Sequence, residues 1–206
     1  MAELATAAES RPTSRMTAER EREVLDAVVD VLAEVGFDML TMEAVALRAR
    51  CGKATLYRQW GSKDRLVAHA LRTCSPTVFG ARAVSDTGTL AGDIEALAHH
   101  AALTAKRDTL LVTGVSRVCL VAPELGSAVR CAVINPFLAT VRDIVARAVR
   151  RGELTQPSSA FGPPEQLFAM LAQRPLLEGV YADEAFVRTA LWGTILPERG
   201  FGREQM

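Results

Sequence analysis

The sequence predicts an all-α protein: an N-terminal three-helix unit containing a helix-turn-helix, followed by a larger helical domain. Two observations carry this. Aromatic residues are only 5% of the 206 while hydrophobic ones reach 49%. The core must therefore be built from Ala, Val and Leu, a composition that favours helices over a sandwich or a barrel. Apolar residues also recur at three- and four-residue spacing along most of the chain, the period of a helix with one buried face. The 24 basic and 24 acidic residues cancel. That excludes a wholesale charge attraction to nucleic acid or membrane, but not a local basic patch.

Residues 1–16 are small and polar, with Ser10, Pro12, Thr13 and Ser14, and read as a mobile tail without the apolar run of a signal peptide. The first helix follows. Val24, Val28, Val31 and Val35 repeat along it beside Leu25 and Leu32, Thr17 can cap it, Glu19, Glu21 and Glu23 suit its first turn, and Gly36 is placed to end it. A short helix begins after Thr41 and turns Val45 and Ala49 inward. Arg50, Cys51 and Gly52 break it, and 53–60 resumes helix with Leu56 and Trp60 on one face. Gly61 stops that helix, and Ser62 can cap the next.

Two short helices joined by such a turn, packed on a longer one, form a helix-turn-helix unit. Between Arg48 and Arg65 stand six basic residues and one acid, a net charge of +5. The basic charge that the chain as a whole lacks is concentrated there, which is the footprint of a DNA-binding element. With Leu56 and Trp60 facing the core and about 100° between successive residues, Arg58 points almost directly away from it, with Ala54 and Thr55 beside it and Tyr57 and Gln59 on the flanks. Ala54, Thr55 and Arg58 are then nearest the base edges of a major groove, Arg58 able to donate to guanine and the methyl of Ala54 or Thr55 able to meet thymine.

The stretch 17–66, TAEREREVLDAVVDVLAEVGFDMLTMEAVALRARCGKATLYRQWGSKDRL, resembles the DNA-binding domain of the TetR family of bacterial transcriptional regulators. The helix ending in GFD, the TMEAVA start of the second helix, and KATLYRQWGSKDRL carry the likeness. It covers about a quarter of the chain. The resemblance implies an all-helical homodimer, a repressor of a palindromic double-stranded DNA operator, whose variable C-terminal domain binds a small-molecule effector that releases the DNA. It also implies that Tyr57 reaches a backbone phosphate and that Thr41, Lys53 and Lys63 lie near phosphates.

The chain departs from the family pattern in the turn. Arg50 stands where glycine is usual. If the backbone there takes a positive φ, arginine costs about 1 kcal/mol; alternatively Arg50 serves a phosphate contact. Gly52 replaces a side-chain cap, at a cost of a few tenths of a kcal/mol. Gln59 and Trp60 replace the usual His-Phe.

The domains read as a tail at 1–16, a DNA-binding domain at 17–62 and a ligand-binding and dimerisation domain at 63–206, with the helix from 63 onward linking the last two. Leu90, Ile94, Leu97 and Ala101 mark one helix, 110–121 a second, and 127–151 a third, in which Pro136 predicts a kink or a division into two helices. A loop at 156–164 precedes helices at 165–177 and 183–196. Those last two are apolar on too many sides for one stripe: Leu167, Met170, Leu171, Phe186, Leu191, Trp192 and Ile195 are candidate dimer-interface residues. A ligand pocket is expected among Phe79, Leu97, Leu103, Leu111, Val115, Val118, Phe137 and Val141. The scarcity of aromatics and acids argues against a flat cationic ligand, and Arg117 within an apolar run is either an anionic ligand's anchor or a snorkelling surface residue.

Cys51, Cys74, Cys119 and Cys131 form no C-x-x-C and no zinc pattern, so no metal or cofactor is expected and free thiols of a reducing cytosol are. The longest apolar stretch, 110–122, is interrupted by Arg117 and falls short of the ~20 residues that span a bilayer, so no membrane association and a cytoplasmic location are expected. No nucleophile elbow, P-loop, dinucleotide fingerprint or H-E-x-x-H is present, and no catalytic residue is assigned. The alternative to a regulator is a helical small-molecule-binding protein without specific DNA readout.

Overall fold

The computed structural model describes residues 16–74, 78–81, 84–154 and 163–196. The expected tail up to Arg15 and most of the 156–164 loop lie outside them. Every regular element among the described residues is helical: α1 (Ala18–Met39), α2 (Met42–Arg48), α3 (Lys53–Trp60), α4 (Lys63–Cys74), α5 (Leu90–Val121), α6 (Pro123–Val129), a π-helical segment (Arg130–Ile134), α7 (Asn135–Arg150), α8 (Pro164–Glu178) and α9 (Glu184–Ile195).

The head is α1 to α4. Thr17 caps α1 by accepting from the Arg20 N–H (3.3 Å). Val24, Leu25, Val28 and Leu32 form the inward stripe, while Val35, expected on it, is exposed. Gly36 does not end the helix but kinks it, at φ 73° and ψ 172°, and one further turn runs to Met39. The glycine also permits a close crossing. A Cβ on Gly114 of α5 would lie 2.9 Å from the Gly36 Cα, so only glycine lets the two backbones meet there. Arg117, one turn further along α5, is exposed and paired with Asp38 (3.1 Å); it is a surface link to α1 rather than an interior anchor.

The body is α5 to α9, with α8 and α9 packed on α5. The two helices expected over 90–121 are one helix of 32 residues. The intervening 102–109 segment contains no Gly or Pro, so its polar residues interrupt the apolar stripe without breaking the backbone ladder. The kink expected at Pro136 is a π-segment one turn earlier. The Asn135 N–H donates to the Arg130 carbonyl, five residues back. This wider register precedes a proline that has no N–H to offer the ordinary ladder. Pro175 lies inside α8, and Gly179, in the left-handed region, ends it.

A buried carboxylate fastens the start of α5 to the end of α7. Asp93, wholly buried, accepts from the Thr87 N–H (2.9 Å) and hydroxyl (2.8 Å), from Arg147 Nε (3.2 Å) and from Arg151 Nη2 (3.2 Å). Burial alone would raise its pKa. The Thr87 and Arg151 hydrogen bonds and the Arg147 charge outweigh that and hold it below the ordinary carboxylate value.

Candidate nucleic-acid interface

The recognition surface is built on two buried anchors. Leu56 is fully buried and Trp60 nearly so, the indole meeting His69 of α4 edge-on (ring centroids 6.3 Å apart). With that face inward, Lys53, Ala54, Tyr57, Arg58 and Gln59 are exposed and Thr55 is half-buried. Tyr57 is 45% exposed, far too open for a packing residue between helices. Arg58 makes no hydrogen bond or ion pair with any described residue.

The turn before α3 explains how Arg50 is tolerated. Its φ is +49°, in the left-handed region. The Arg50 N–H donates to the Leu47 carbonyl (3.2 Å) and the Cys51 N–H to the Ala46 carbonyl (2.9 Å), the paired bonds of a Schellman ending. The strain expected for arginine at a glycine position is therefore present. Offsetting it, Arg20 Nη2 donates to the Arg50 carbonyl (2.9 Å) and to that of Ala49, fastening the turn after α2 to the N-terminus of α1. Sequence reasoning missed Arg20; thirty residues away, only its place in the first turn of an adjoining helix signalled it. Gly52 begins α3 with no side-chain cap.

The flanking residues divide. The Thr41 hydroxyl caps α2 by accepting from the Ala44 N–H (3.1 Å) and stays exposed. Lys53 pairs with Glu43 and lies 5.6 Å from the Tyr57 ring centroid. The Lys63 ammonium donates to the Phe37 carbonyl (3.0 Å) and sits 4.3 Å from the Phe37 ring centroid. That carbonyl lies in the last turn of α1, where helix carbonyls have no partner of their own, and Lys63 ties α4 to α1 there. Arg48 is likewise held, by Glu34 (2.6 and 2.9 Å).

The expectations for the body are corrected in two places. Leu103 is 69% exposed on α5 and lines no interior, because its position falls on the outer face of the continuous helix. Phe79, Leu97, Leu111, Val115, Val118, Phe137 and Val141 are all buried in the core. Of the dimer candidates, Leu167, Leu171, Leu191 and Ile195 are fully buried within the single chain, since α8 and α9 use one face to cover α5; they are not interface residues. Met170, Phe186 and Trp192 are half-buried. Outside them the apolar surface continues through Leu176, Leu177, Val180 and Tyr181, all exposed.

A basic, exposed helix presented by a packed helix-turn-helix defines a DNA-binding protein of the regulator class. Comparison with known proteins places it in a family. Residues 24–70 match the family model "Bacterial regulatory proteins, tetR family", and residues 84–191 match "Tetracyclin repressor-like, C-terminal domain". An uncharacterised HTH-type transcriptional regulator of Mycobacterium bovis is 33% identical over 143 residues, and the match spans 66% of each protein, just under two thirds. The DNA-binding transcriptional repressor TetR of Mycobacteroides abscessus is 30% identical over 171 residues, 82% of this chain and 87% of that one. Among solved structures, the TetR-family regulator PfmR of Thermus thermophilus superposes with a TM-score of 0.56 over 87% of this chain and 99% of its own, at 15% identity, a likeness of fold. The chain belongs to the TetR family of transcriptional regulators, which are DNA-binding and non-enzymatic. No helix of the described residues is long and apolar enough to cross a membrane.

Proposed function

We propose that the protein is a ligand-responsive repressor that binds a palindromic operator as a homodimer. The observation that carries this is the outward face of α3, where Ala54, Tyr57, Arg58 and Gln59 are all exposed while Leu56 and Trp60 fix the helix from behind. In this reading Arg58 and the Ala54 and Thr55 methyls meet base edges. Tyr57, Thr41 and Lys53 meet phosphates, Lys53 exchanging Glu43 for DNA. The 17–62 segment of the head reads DNA, and 63–206, joined to it through α4, holds the effector and the dimer contact. That contact uses the outer faces of α8 and α9, through Met170, Phe186, Trp192 and the exposed Leu176 and Leu177. A twofold dimer sets two recognition helices one turn of DNA apart, about 34–36 Å. Repression is supported by the named function of the Mycobacteroides abscessus relative.

The test is fluorescence anisotropy with DNA flanking the protein's own gene, read alongside the mass of the complex. Two protomers per palindrome and a loss of at least tenfold in affinity for Tyr57→Ala are expected. Equal affinity for operator and random DNA would overturn specific readout.

A further inference from the structure

The interior of the body contains a carboxylate with half of its hydrogen bonding unmet. Asp108, on α5, is wholly buried. Its Oδ2 accepts from the Phe79 N–H (2.7 Å), while its Oδ1 has no hydrogen-bond partner. The nearest cation to Oδ1 is Arg107 Nη1 at 3.8 Å, on a side chain half exposed to solvent. The neighbouring Thr104 hydroxyl donates to the His100 carbonyl (3.3 Å) and is also the side-chain hydrogen-bond donor that opposes the upward shift of the Asp108 carboxyl, too distant or bent to close Oδ1 in this arrangement. One position on, the buried Thr109 hydroxyl is also without a partner. Native interiors leave few such groups, because a buried unsatisfied acceptor costs the desolvation of that group with no return. Burial pushes the Asp108 carboxyl up, against the opposing Thr104, Phe79 and Arg107 contributions.

What Asp108 holds is equally unusual. Phe79 has a φ of +49°, a region that a bulky residue occupies only when its surroundings impose it. Its ring is fully buried against Phe137 (6.0 Å between centroids) and Phe168 (5.8 Å), which themselves meet at 5.5 Å. The adjoining residues are fastened as tightly. A Cβ on Gly80 would fall 2.6 Å from the His100 Cβ, and the Thr140 hydroxyl donates to the Ala81 carbonyl. A strained segment thus packs one aromatic ring against two others that already touch, and offers one N–H to a carboxylate with an open oxygen.

We infer that this interior is the effector site, that it takes a protonated amine carried on an apolar group about the size of a phenyl ring, and that Phe79 is the internal occupant such a ligand replaces. The inference rests on the ligand-responsive reading above. A carboxylate oxygen is an acceptor only, so its missing partner is a donor, and in apolar surroundings a cationic donor satisfies the charge as well. An ammonium has three N–H groups, enough to serve the open Asp108 oxygen and to share the one that Phe79 now occupies. Phe137 and Phe168 present ring surface to the apolar part, and ring faces attract the cation. Displacing Phe79 also releases its backbone from the left-handed region. The scarcity of aromatics and acids in the composition is misleading here, because three of the seven phenylalanines and one buried acid meet at one place.

The experiment is calorimetric titration and thermal denaturation of the full chain with 2-phenylethylamine, against 2-phenylethanol and 3-phenylpropanoate as neutral and anionic counterparts. The wild type, Asp108→Asn and Phe79→Gly are compared. The amine alone is expected to raise the melting temperature. Its affinity is expected to fall at least tenfold in Asp108→Asn, and to rise at least tenfold in Phe79→Gly, where a ring-sized space is open and glycine accepts the positive φ. Amine and alcohol binding equally, affinity unchanged in Asp108→Asn, or no binding to either wild type or Phe79→Gly would each overturn the proposal. If one variant does not fold, the amine-to-alcohol ratio in the other decides. Operator binding is measured on the same samples without amine. Operator binding with no amine response sinks this inference alone; amine binding with no operator binding sinks the repressor reading alone.

Discussion

Two described residues other than glycine have positive φ, Arg50 in the head and Phe79 in the body, and both sit at +49°. In each case a side chain from a distant helix fastens the strained backbone. Arg20 holds the carbonyl of Arg50, and Asp108 holds the N–H of Phe79. The resemblance ends at the side chains. That of Arg50 is exposed, and the turn it occupies is needed only for its backbone path into α3. That of Phe79 is buried among two other rings, and its fastening carboxylate is left with an unsatisfied oxygen. The first strain is a local cost that glycine would remove. The second maintains an arrangement with an obvious alternative, in which another molecule supplies both ring and donors.

The comparison breaks most visibly at Phe79. Phe79→Ala is expected to destabilise the protein by about 3–5 kcal/mol, as for other buried aromatic truncations, measured by chemical denaturation. A loss under 1 kcal/mol would mean that the ring adds little to the packed interior.

A finer prediction concerns pH. Asp108 has a raised pKa in the folded state, so the folded protein binds its proton more readily than the unfolded chain does. Its contribution to stability is therefore greatest in acid and declines as pH rises from the unfolded value near 4 through the folded one. Asp93 has the opposite sign: its lowered pKa adds stability above about 4, lost as pH falls through the folded value. Asp108→Asn removes the first slope and keeps the acceptor for Phe79. It is expected to be more stable than wild type at pH 7, with the gain vanishing toward pH 4. A pH-independent difference would show that the Asp108 carboxyl titrates alike in the folded and unfolded protein, and would contradict the raised value.

The smallest effect belongs to the head. Arg50→Gly is expected to gain up to about 1 kcal/mol, since glycine accepts the left-handed conformation at some entropic cost, while operator affinity stays unchanged. A drop in affinity with no gain in melting temperature would make Arg50 a phosphate contact instead.

The head was largely legible in the sequence because its determinants are local. Caps, turn residues and the Leu56 and Trp60 pair fix the orientation of α3 within about forty residues, so which α3 side chains face outward could be worked out by counting. The Lys63 contact with the Phe37 carbonyl was not legible, because it joins α4 to the far end of α1, twenty-six residues away. The body was less legible. Leu167, Leu171, Leu191 and Ile195 have the same composition as an interface stripe, and only the packing of α8 and α9 onto α5 shows which side is spent inside. Asp108 and Phe168 gave no signal at all. One was a polar residue between two apolar stretches, the other an aromatic in a helix apolar nearly all round, and their meeting with Phe79 depends on three separate segments.

The account depends most on α3 reading DNA sequence, and Arg58→Ala tests that most directly. Anisotropy is measured on operator and on random DNA at two salt concentrations. The expected result is selective binding by wild type that weakens with salt, and in the variant a loss of about 1–3 kcal/mol on the operator with little change on random DNA. An equal loss on both DNAs would make Arg58 a phosphate contact and leave α3 without its principal base reader. Unchanged operator affinity would contradict the placement of α3 in the groove.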